Sequence, residues 1–372
     1  MKTLLIFLLI ISLQSGIAQD KDVHPLPLGS EAPDFHLPAT DGNMYSLNDF
    51  QDYPVLAVIF TCNHCPTAQA YEDRLIQMIE EYRPRGVGFV AISPNDPDAV
   101  SLSELGYSDI NDRLDEMKYR ADQKGYNFTY LYDGEDQKAS IAYGPAATPH
   151  VFIFDNRRKL RYRGRIDDTE NPYLQPRKED MKEALDALLE GGPVSTPETK
   201  TFGCSTKWSW KNEWIQAEKE RWSQEPVSLL ELELKDVETL RQNDSEKWRL
   251  INVWATWCGP CLIEFPEFVD INRMYRNRKF EFVSISTDKL GQRDKALELL
   301  EGFEASGTNY RFAGDNIYEL IEAIDPDWQG ALPYTLLIEP GGQIIYKTQG
   351  MINPLELKTT IVNSLGRFYA DD

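Results

Sequence analysis

Two Cys-x-x-Cys pairs, Cys62–Cys65 and Cys258–Cys261, are the residues of this chain best suited to chemistry. Each pair follows a short apolar run and precedes a segment with helical spacing, so we expect each at the N-terminus of a helix. The unpaired N–H groups and the dipole of a helix stabilise a thiolate there, and the thiolate is the reactive form of cysteine. A thiolate attacks a disulfide, and a second nearby cysteine resolves the mixed disulfide. We therefore predict two redox-active dithiols in which the first cysteine of each pair attacks and the second resolves.

Metal binding and haem attachment are the other uses of this spacing. Zinc takes about four ligands, and neither half of the sequence offers a further Cys/His pair at a suitable spacing. Haem attachment requires a His after the second cysteine, where this chain has Pro66 and Leu262. The prediction is therefore a redox site without a metal or a cofactor.

The residues enclosed by the two pairs differ. His64 lies within the first pair, whereas the second encloses the uncharged Gly259-Pro260. An imidazole beside the first helical turn is expected to stabilise the Cys62 thiolate and hence the reduced form. A pair with a more stable reduced form is a stronger oxidant. We predict that the first dithiol is the more oxidising one; the alternative is that His64 is exposed and has no role.

The segment downstream of each pair is repeated as well. TPHVFIFD begins at Thr148 and LPYTLLIE begins at Leu332, so that Pro149 and Pro333 each precede two apolar runs separated by a turn. Apolar runs that alternate with helical spacing and end in a hairpin predict an α/β fold, with a mixed central sheet flanked by helices in each half. The first half carries an insertion, which we place in the region 93–109.

The chain of 372 residues divides into four segments. Residues 1–19 have a Lys near the start, a short apolar core and small residues at the end, a pattern typical of a secretory signal. A buried or amphipathic N-terminal helix is the alternative. The predicted domains are residues 23–190 and 226–372, joined by a Trp-rich linker, 191–225. Its tryptophans either attach the linker to a domain or form a docking surface for a partner.

These features predict an exported protein, periplasmic or secreted, without a membrane span in the mature chain. With 60 acidic and 39 basic residues the net charge is −21, which excludes nucleic acid and anionic lipid as expected partners. Five cysteines are too few to staple a chain of this length. Three roles are open for the fifth, Cys204. It is either a third redox thiol that reacts with Cys62, or the site of an intermolecular link, or an inert buried thiol.

Both halves resemble known families of redox proteins. VWATWCGPC, followed by Glu264, resembles the TlpA/ResA-like thiol-disulfide oxidoreductases of the thioredoxin superfamily. GSEAPDFHLPATDG, FTCNHCP and ATPHVFIFD resemble the redoxin (AhpC/TSA-like) branch. The resemblances imply two thioredoxin-like folds in tandem, with Pro149 and Pro333 in cis peptide bonds against the dithiols. They also imply that the backbone beside each cis-proline pairs with an extended substrate segment.

The sequence departs from these families at two places. Asn252 replaces the buried Asp that helps thioredoxins to deprotonate the resolving cysteine. Glu264, one turn past Cys261, is therefore either the proton acceptor of the second site or an ordinary first-turn carboxylate. Peroxidases related to the first half have a Thr three residues before the reactive cysteine, but Cys62 occupies that place before Cys65.

The sequence therefore predicts a thiol-disulfide oxidoreductase that exchanges disulfides with protein thiols and depends on an unidentified electron donor. Electron relay between the two domains is a further hypothesis. Two alternatives remain open. The first is a thiol peroxidase in the N-terminal domain, recycled by the C-terminal domain. The second is a non-catalytic module that binds extended peptides.

Overall fold

The computed structural model describes residues 22–211 and 213–369. The predicted signal segment, residues 1–19, lies outside this part of the chain. Within it, no helix has both the length and the apolar character needed to cross a membrane.

The first half contains a five-stranded sheet flanked by helices. The strands of the first half, including those outside this sheet, are β1 His36–Pro38, β2 Met44–Ser46, β3 Val55–Phe60, β4 Val87–Ser93, β5 Thr129–Tyr132, β6 Ala147–Thr148, β7 His150–Phe154 and β8 Leu160–Gly164. Its helices are α1 Pro66–Tyr82, α2 Leu114–Lys124, α3 Lys138–Tyr143 and α4 Asp180–Leu189. The sheet order is β5-β4-β3-β7-β8, in which β3, β4 and β5 are parallel and β7 and β8 form the antiparallel hairpin.

The apolar sequence of β3 follows from its position at the centre of this sheet. Residues 55, 57 and 59 pack against α1 and α4, whereas residues 56, 58 and 60 pack against Tyr143 of α3 and its neighbours. A strand covered on both faces has no polar side, so every residue of β3 is apolar and buried. The strand thereby fixes the position of the Cys62–Cys65 segment that follows it.

The linker contains two short elements, β9 Cys204–Ser205 and α5 Glu213–Ser223. β9 pairs with β6 of the first half. Trp222 of α5 is buried against the guanidinium groups of Arg273 and Arg276 in the second half. The linker is thus attached to both halves.

The second half repeats the architecture with a six-stranded sheet. Its strands are β10 Leu230–Leu232, β11 Trp248–Trp254, β12 Phe280–Ser286, β13 Thr308–Phe312, β14 Tyr334–Ile338 and β15 Ile344–Gln349. Its helices are α6 Leu234–Gln242, α7 Gly259–Tyr275, α8 Arg293–Gly302, α9 Ile317–Ile324 and α10 Pro354–Leu365. The order is β10-β13-β12-β11-β14-β15, with β14 and β15 antiparallel. The predicted fold class, two mixed sheets flanked by helices, is confirmed.

The predicted insertion of the first half packs against the second half. It forms two short 3-10 segments, Pro97–Ala99 and Leu102–Tyr107. Val100 and Leu105 lie in the same apolar cluster as the buried face of α7. The Tyr275 hydroxyl at the end of α7 donates a hydrogen bond to a carbonyl of the insertion, that of Ser108, at 2.7 Å.

A buried ion pair strengthens this contact between the halves. Arg367, which follows α10, donates two hydrogen bonds of 2.8 Å to the two carboxylate oxygens of Asp109. Arg367 also approaches Gln69 in the first turn of α1 at 3.3 Å. The C-terminal end of the chain therefore lies next to the start of the first active-site helix.

Candidate active sites at the two dithiols

Both repeated prolines have cis peptide bonds, Thr148–Pro149 and Leu332–Pro333. In the first half, Cys65 Sγ lies 3.3 Å from the carbonyl oxygen of Thr148, and Cys62 Sγ lies 3.1 Å from the Thr148 hydroxyl. In the second half, Leu332 packs against the apolar cluster that contains both cysteines. Each dithiol therefore faces the residue that precedes a cis-proline.

The two dithiols differ in where their helix begins. α7 begins directly after Cys258, whose Sγ accepts the backbone N–H of Cys261 at 3.3 Å. α1 begins at Pro66, so Cys65 is the N-cap residue of this helix. Cys62 lies three residues before Cys65, outside the helix. The expectation that Cys62 occupies the helix N-terminus is wrong. Proline lacks an N–H and favours the first position of a helix, which moves the start of α1 to the second cysteine.

The electrostatic environment favours charge on Cys65. Burial opposes its ionisation, but hydrogen bonds from the Cys204 and Cys62 thiols and the charge of His64 hold its pKa well below the usual range. Burial, the hydrogen bond to Cys65 and the negative charge of Asp112 raise the pKa of Cys62. The arrangement therefore suits a Cys65 thiolate, with the Cys62 thiol as a hydrogen-bond donor to it.

His64 reaches this site as a member of a buried pair. It is 1% exposed, and its Nδ1 lies 2.6 Å from Oδ2 of Asp112. Asp112 also accepts hydrogen bonds of 2.7 Å from the Asn63 backbone and from the Asn95 side chain. Burial lowers the pKa of His64, but the Asp112 carboxylate outweighs it and raises that pKa overall. The charge of His64 lowers the pKa of Cys65, and a ring nitrogen of His64 also lies within 4.8 Å of Cys62 Sγ.

Asp112 is a residue of the first candidate site that the sequence did not reveal. It lies directly after the insertion, distant in the chain from both cysteines, and belongs to no motif with them. A buried charged histidine needs a carboxylate partner, so burial of His64 would have pointed to such a residue. Only the fold shows that His64 is buried.

Cys204 is the third thiol of the first site. β9 runs antiparallel to β6 and places Cys204 opposite Thr148. The backbone N–H of Cys204 approaches Cys65 Sγ at 3.4 Å, and its side chain is half-buried. The structure therefore brings Cys204 to Cys65, whereas the sequence analysis considered Cys62 as its partner.

The second dithiol is closed in this structure and has an apolar rim. Cys258 and Cys261 are joined by a disulfide. Both sulfurs are nearly inaccessible, but the neighbouring side chains Trp257 and Ile263 are 65% and 71% exposed. Large apolar side chains with this exposure provide contact area for a partner around the disulfide.

Glu264 lies in a buried polar network below this disulfide. Its Oε2 accepts the N–H of Ile352 at 2.9 Å, and its Oε1 accepts the amide of Asn252 at 3.4 Å. Burial raises the pKa of Glu264 to about 7. A carboxylate with such a pKa exchanges protons efficiently near neutral pH, as a proton acceptor for a resolving thiol must.

The two dithiols lie at different places relative to the contact between the halves. The first is one turn from Gln69, whose side chain donates to the carbonyl of Tyr107 in the insertion at 3.0 Å. The second lies at the N-terminus of α7, whose C-terminal end contacts the same insertion. The 17 residues of α7 span about 25 Å at a rise of ~1.5 Å per residue.

Comparison with known proteins identifies relatives that match part of this chain. The chain is 27% identical over 118 residues to thiol-disulfide oxidoreductase ResA of Oceanobacillus iheyensis, a match to 32% of this chain and 57% of that protein. It is 25% identical over 100 residues to ResA of Bacillus subtilis, covering 27% and 51% of the two chains. The chain therefore spans about half the length of the curated relatives it matches.

An uncharacterized conserved protein from Geobacillus kaustophilus is 39% identical with a TM-score of 0.45, covering 50% of this chain and 94% of its own. The sequence model of the AhpC/TSA family matches residues 28–163 and again residues 224–347, which together make up more than half of the chain. The protein therefore belongs to the AhpC/TSA family, and it contains the family's sequence pattern twice.

Proposed function

We propose that this protein is a thiol-disulfide oxidoreductase that exchanges disulfides with protein partners at two Cys-x-x-Cys sites. The observation that supports this function is the repeated placement of a dithiol at the start of a helix and against a cis-proline. The matched relatives named thiol-disulfide oxidoreductase support the same chemistry. The proposal includes export, which rests on the signal pattern in residues 1–19, and the two domains 23–190 and 226–372.

At the second site, the proposed roles follow the order of the chain. The Cys258 thiolate attacks a partner disulfide, and one partner sulfur leaves as a thiolate. Cys261 then loses its proton to Glu264 and attacks Cys258 Sγ, which releases the second partner thiolate. The partner gains two electrons, and the disulfide of the present structure forms. The exposed rim beside Cys258 is the proposed contact surface for the partner.

At the first site, we assign the reactive thiolate to Cys65. Hydrogen bonds from two thiols and the nearby His64 lower its pKa, so the reduced form is stabilised. In the second site, the described residues place one hydrogen bond on the Cys258 sulfur, from the N–H of Cys261. A pair with the more stable reduced form is the stronger oxidant. The first dithiol is therefore the proposed electron acceptor and the second the proposed donor.

Electron relay from the second dithiol to the first is part of this proposal, and we place it between copies of the chain. Disulfide exchange requires contact between sulfurs, but the length of α7 separates the second dithiol from the contact between the halves. Transfer between molecules has a rate that rises with protein concentration, whereas transfer within one molecule has a constant rate.

The reduction potentials of the two dithiols test the proposed function. We would measure them in the full chain and in variants in which one pair is replaced, Cys62→Ser/Cys65→Ser or Cys258→Ser/Cys261→Ser. The expected result is a higher potential for the first pair and reduction of a protein disulfide by either single-pair variant. If neither variant reduces a protein disulfide, the proposed function is wrong. Equal potentials would contradict the proposed direction of electron flow.

A thiol peroxidase is the second candidate, because both cysteines of the first site are buried. Cys65 is 0% exposed and Cys62 only 3%, so a small oxidant reaches them more easily than a folded protein does. Consumption of hydrogen peroxide with dithiothreitol as reductant would measure this activity. A peroxidase would lose it in a Cys65→Ser variant and keep it in a Cys258→Ser variant; an unchanged rate in Cys65→Ser would exclude it.

A further inference from the structure

A segment of this chain occupies the edge of the first site beside the cis-proline. β9 pairs antiparallel with β6, with Cys204 opposite Thr148 and Ser205 opposite Ala147. The Thr201 hydroxyl donates to the carbonyl of Pro149 at 2.6 Å. Residues 201–205 therefore contact the backbone on both sides of the cis peptide bond and cover the dithiol.

The chain is adapted to hold this segment close to Thr148. Gly203 has φ +123°, and a Cβ at this position would lie 2.1 Å from the carbonyl oxygen of Thr148. Only glycine permits that approach. After the strand, the N–H of Lys207 donates to Asn95 at 2.9 Å, and the Lys207 carbonyl accepts from Gln137 at 2.8 Å. The segment is thus fixed on both sides of Cys204.

This arrangement brings Cys204 within reach of Cys65. The Cys204 nitrogen lies 3.4 Å from Cys65 Sγ, and the Cys204 sulfur is only three bonds from that nitrogen. The Cys204 side chain packs against the buried cluster formed by Cys62, Cys65 and Ala68. Cys204 is the most accessible of the three free cysteines, since the other two are fully buried.

We propose that Cys204 is a redox-active resolving thiol that closes a disulfide with Cys65. The inference rests on the proposed disulfide exchange at the first site and deepens it. The Cys65 thiolate attacks a disulfide, forms a mixed disulfide and releases one thiolate. Cys204 gives its proton to solvent, its sulfur attacks Cys65 Sγ, and the second thiolate leaves. The outside disulfide gains two electrons, and Cys65 and Cys204 lose two.

Disulfide mapping in the full chain tests the inference. The starting variant carries Cys258→Ser and Cys261→Ser, which leaves the three thiols of the first site. Cys62→Ser is added in one sample and Cys65→Ser in another, and both are oxidised with glutathione disulfide. After alkylation and trypsin cleavage, mass spectrometry detects the peptide TFGCSTK, which contains Cys204, joined to residues 22–74.

The expected result is abundant cross-linked peptide in the sample with Cys62→Ser. The sample with Cys65→Ser should contain at least about tenfold less, because the Cys204 backbone contacts Cys65 Sγ whereas Cys62 Sγ contacts the Thr148 hydroxyl. A matched control moves the thiol by one residue in the Cys62→Ser sample, through Cys204→Ser and Ser205→Cys. Successive side chains of a strand point to opposite faces, so this control should not cross-link. Circular dichroism verifies that all variants are folded.

Three results would overturn the inference. The first is equal cross-linking in the Cys62→Ser and Cys65→Ser samples, and the second is equal cross-linking in the shifted-thiol control. The third is a Cys62→Ser sample that stops at the mixed disulfide with glutathione. In that third case the proposed exchange at the first site stands without Cys204. If Cys65 forms no mixed disulfide in any variant, the proposed exchange at this site fails as well.

Discussion

The substitution Glu264→Gln in the oxidised protein measures the cost of a buried carboxylate beside the second dithiol. The side chain is 5% exposed and accepts one backbone N–H and one amide hydrogen bond. Burial raises its pKa from the ordinary 4.5 to about 7. Each pKa unit corresponds to about 1.4 kcal/mol, so ionisation of Glu264 costs the folded protein about 3 kcal/mol.

The sign of the effect follows from the raised pKa. The neutral acid contributes its full stability below pH 4.5, and this contribution is lost as the pH rises through about 7. Glutamine has nearly the same shape and does not ionise. We therefore expect Glu264→Gln to match the wild type at about pH 4.5 and to exceed it by about 3 kcal/mol at about pH 8.5.

Urea unfolding at these two pH values checks the magnitude. Glu298→Gln is the matched control, because it removes a carboxylate from an exposed position of α8. This control should change the free energy of unfolding by less than about 0.5 kcal/mol at either pH. If the difference between Glu264→Gln and the wild type is the same at both pH values, the reasoning about burial is refuted. The same variant should also slow resolution by Cys261, since it removes the proposed proton acceptor.

Three further predictions concern the first site and the contact between the halves. His64→Gln removes the positive charge near Cys65 and should raise the pKa of Cys65. The expected result is a lower thiolate absorbance at 240 nm and neutral pH; unchanged absorbance would contradict the prediction. Gly203→Ala places a Cβ against the Thr148 carbonyl, so β9 should detach and iodoacetamide should alkylate the first dithiol faster than in the wild type. Tyr275→Phe removes a buried hydrogen bond between the halves and should lower the free energy of unfolding by about 1 kcal/mol; no loss in urea unfolding would mean that this bond adds nothing.

The sequence by itself determined the architecture of both halves. Fully apolar runs such as β3 identify strands covered on both faces, because a strand with a solvent-exposed face alternates polar and apolar residues. The repeated order of Cys-x-x-Cys, proline and hairpin located both sites, since these features are local and each is contained in a short stretch of chain.

Only the tertiary structure decided which groups surround each sulfur. Pro66 shifted the N-cap of α1 to Cys65. From segments far away in the chain, Cys204 reaches the Cys65 sulfur and Asp112 reaches His64. The raised pKa of Glu264 likewise depends on burial by residues of other elements. Sequence spacing encodes periodicity along one element, whereas the pKa of a thiol or a carboxyl depends on charges and solvent within a few ångströms in space. Those distances exist only once the chain has folded.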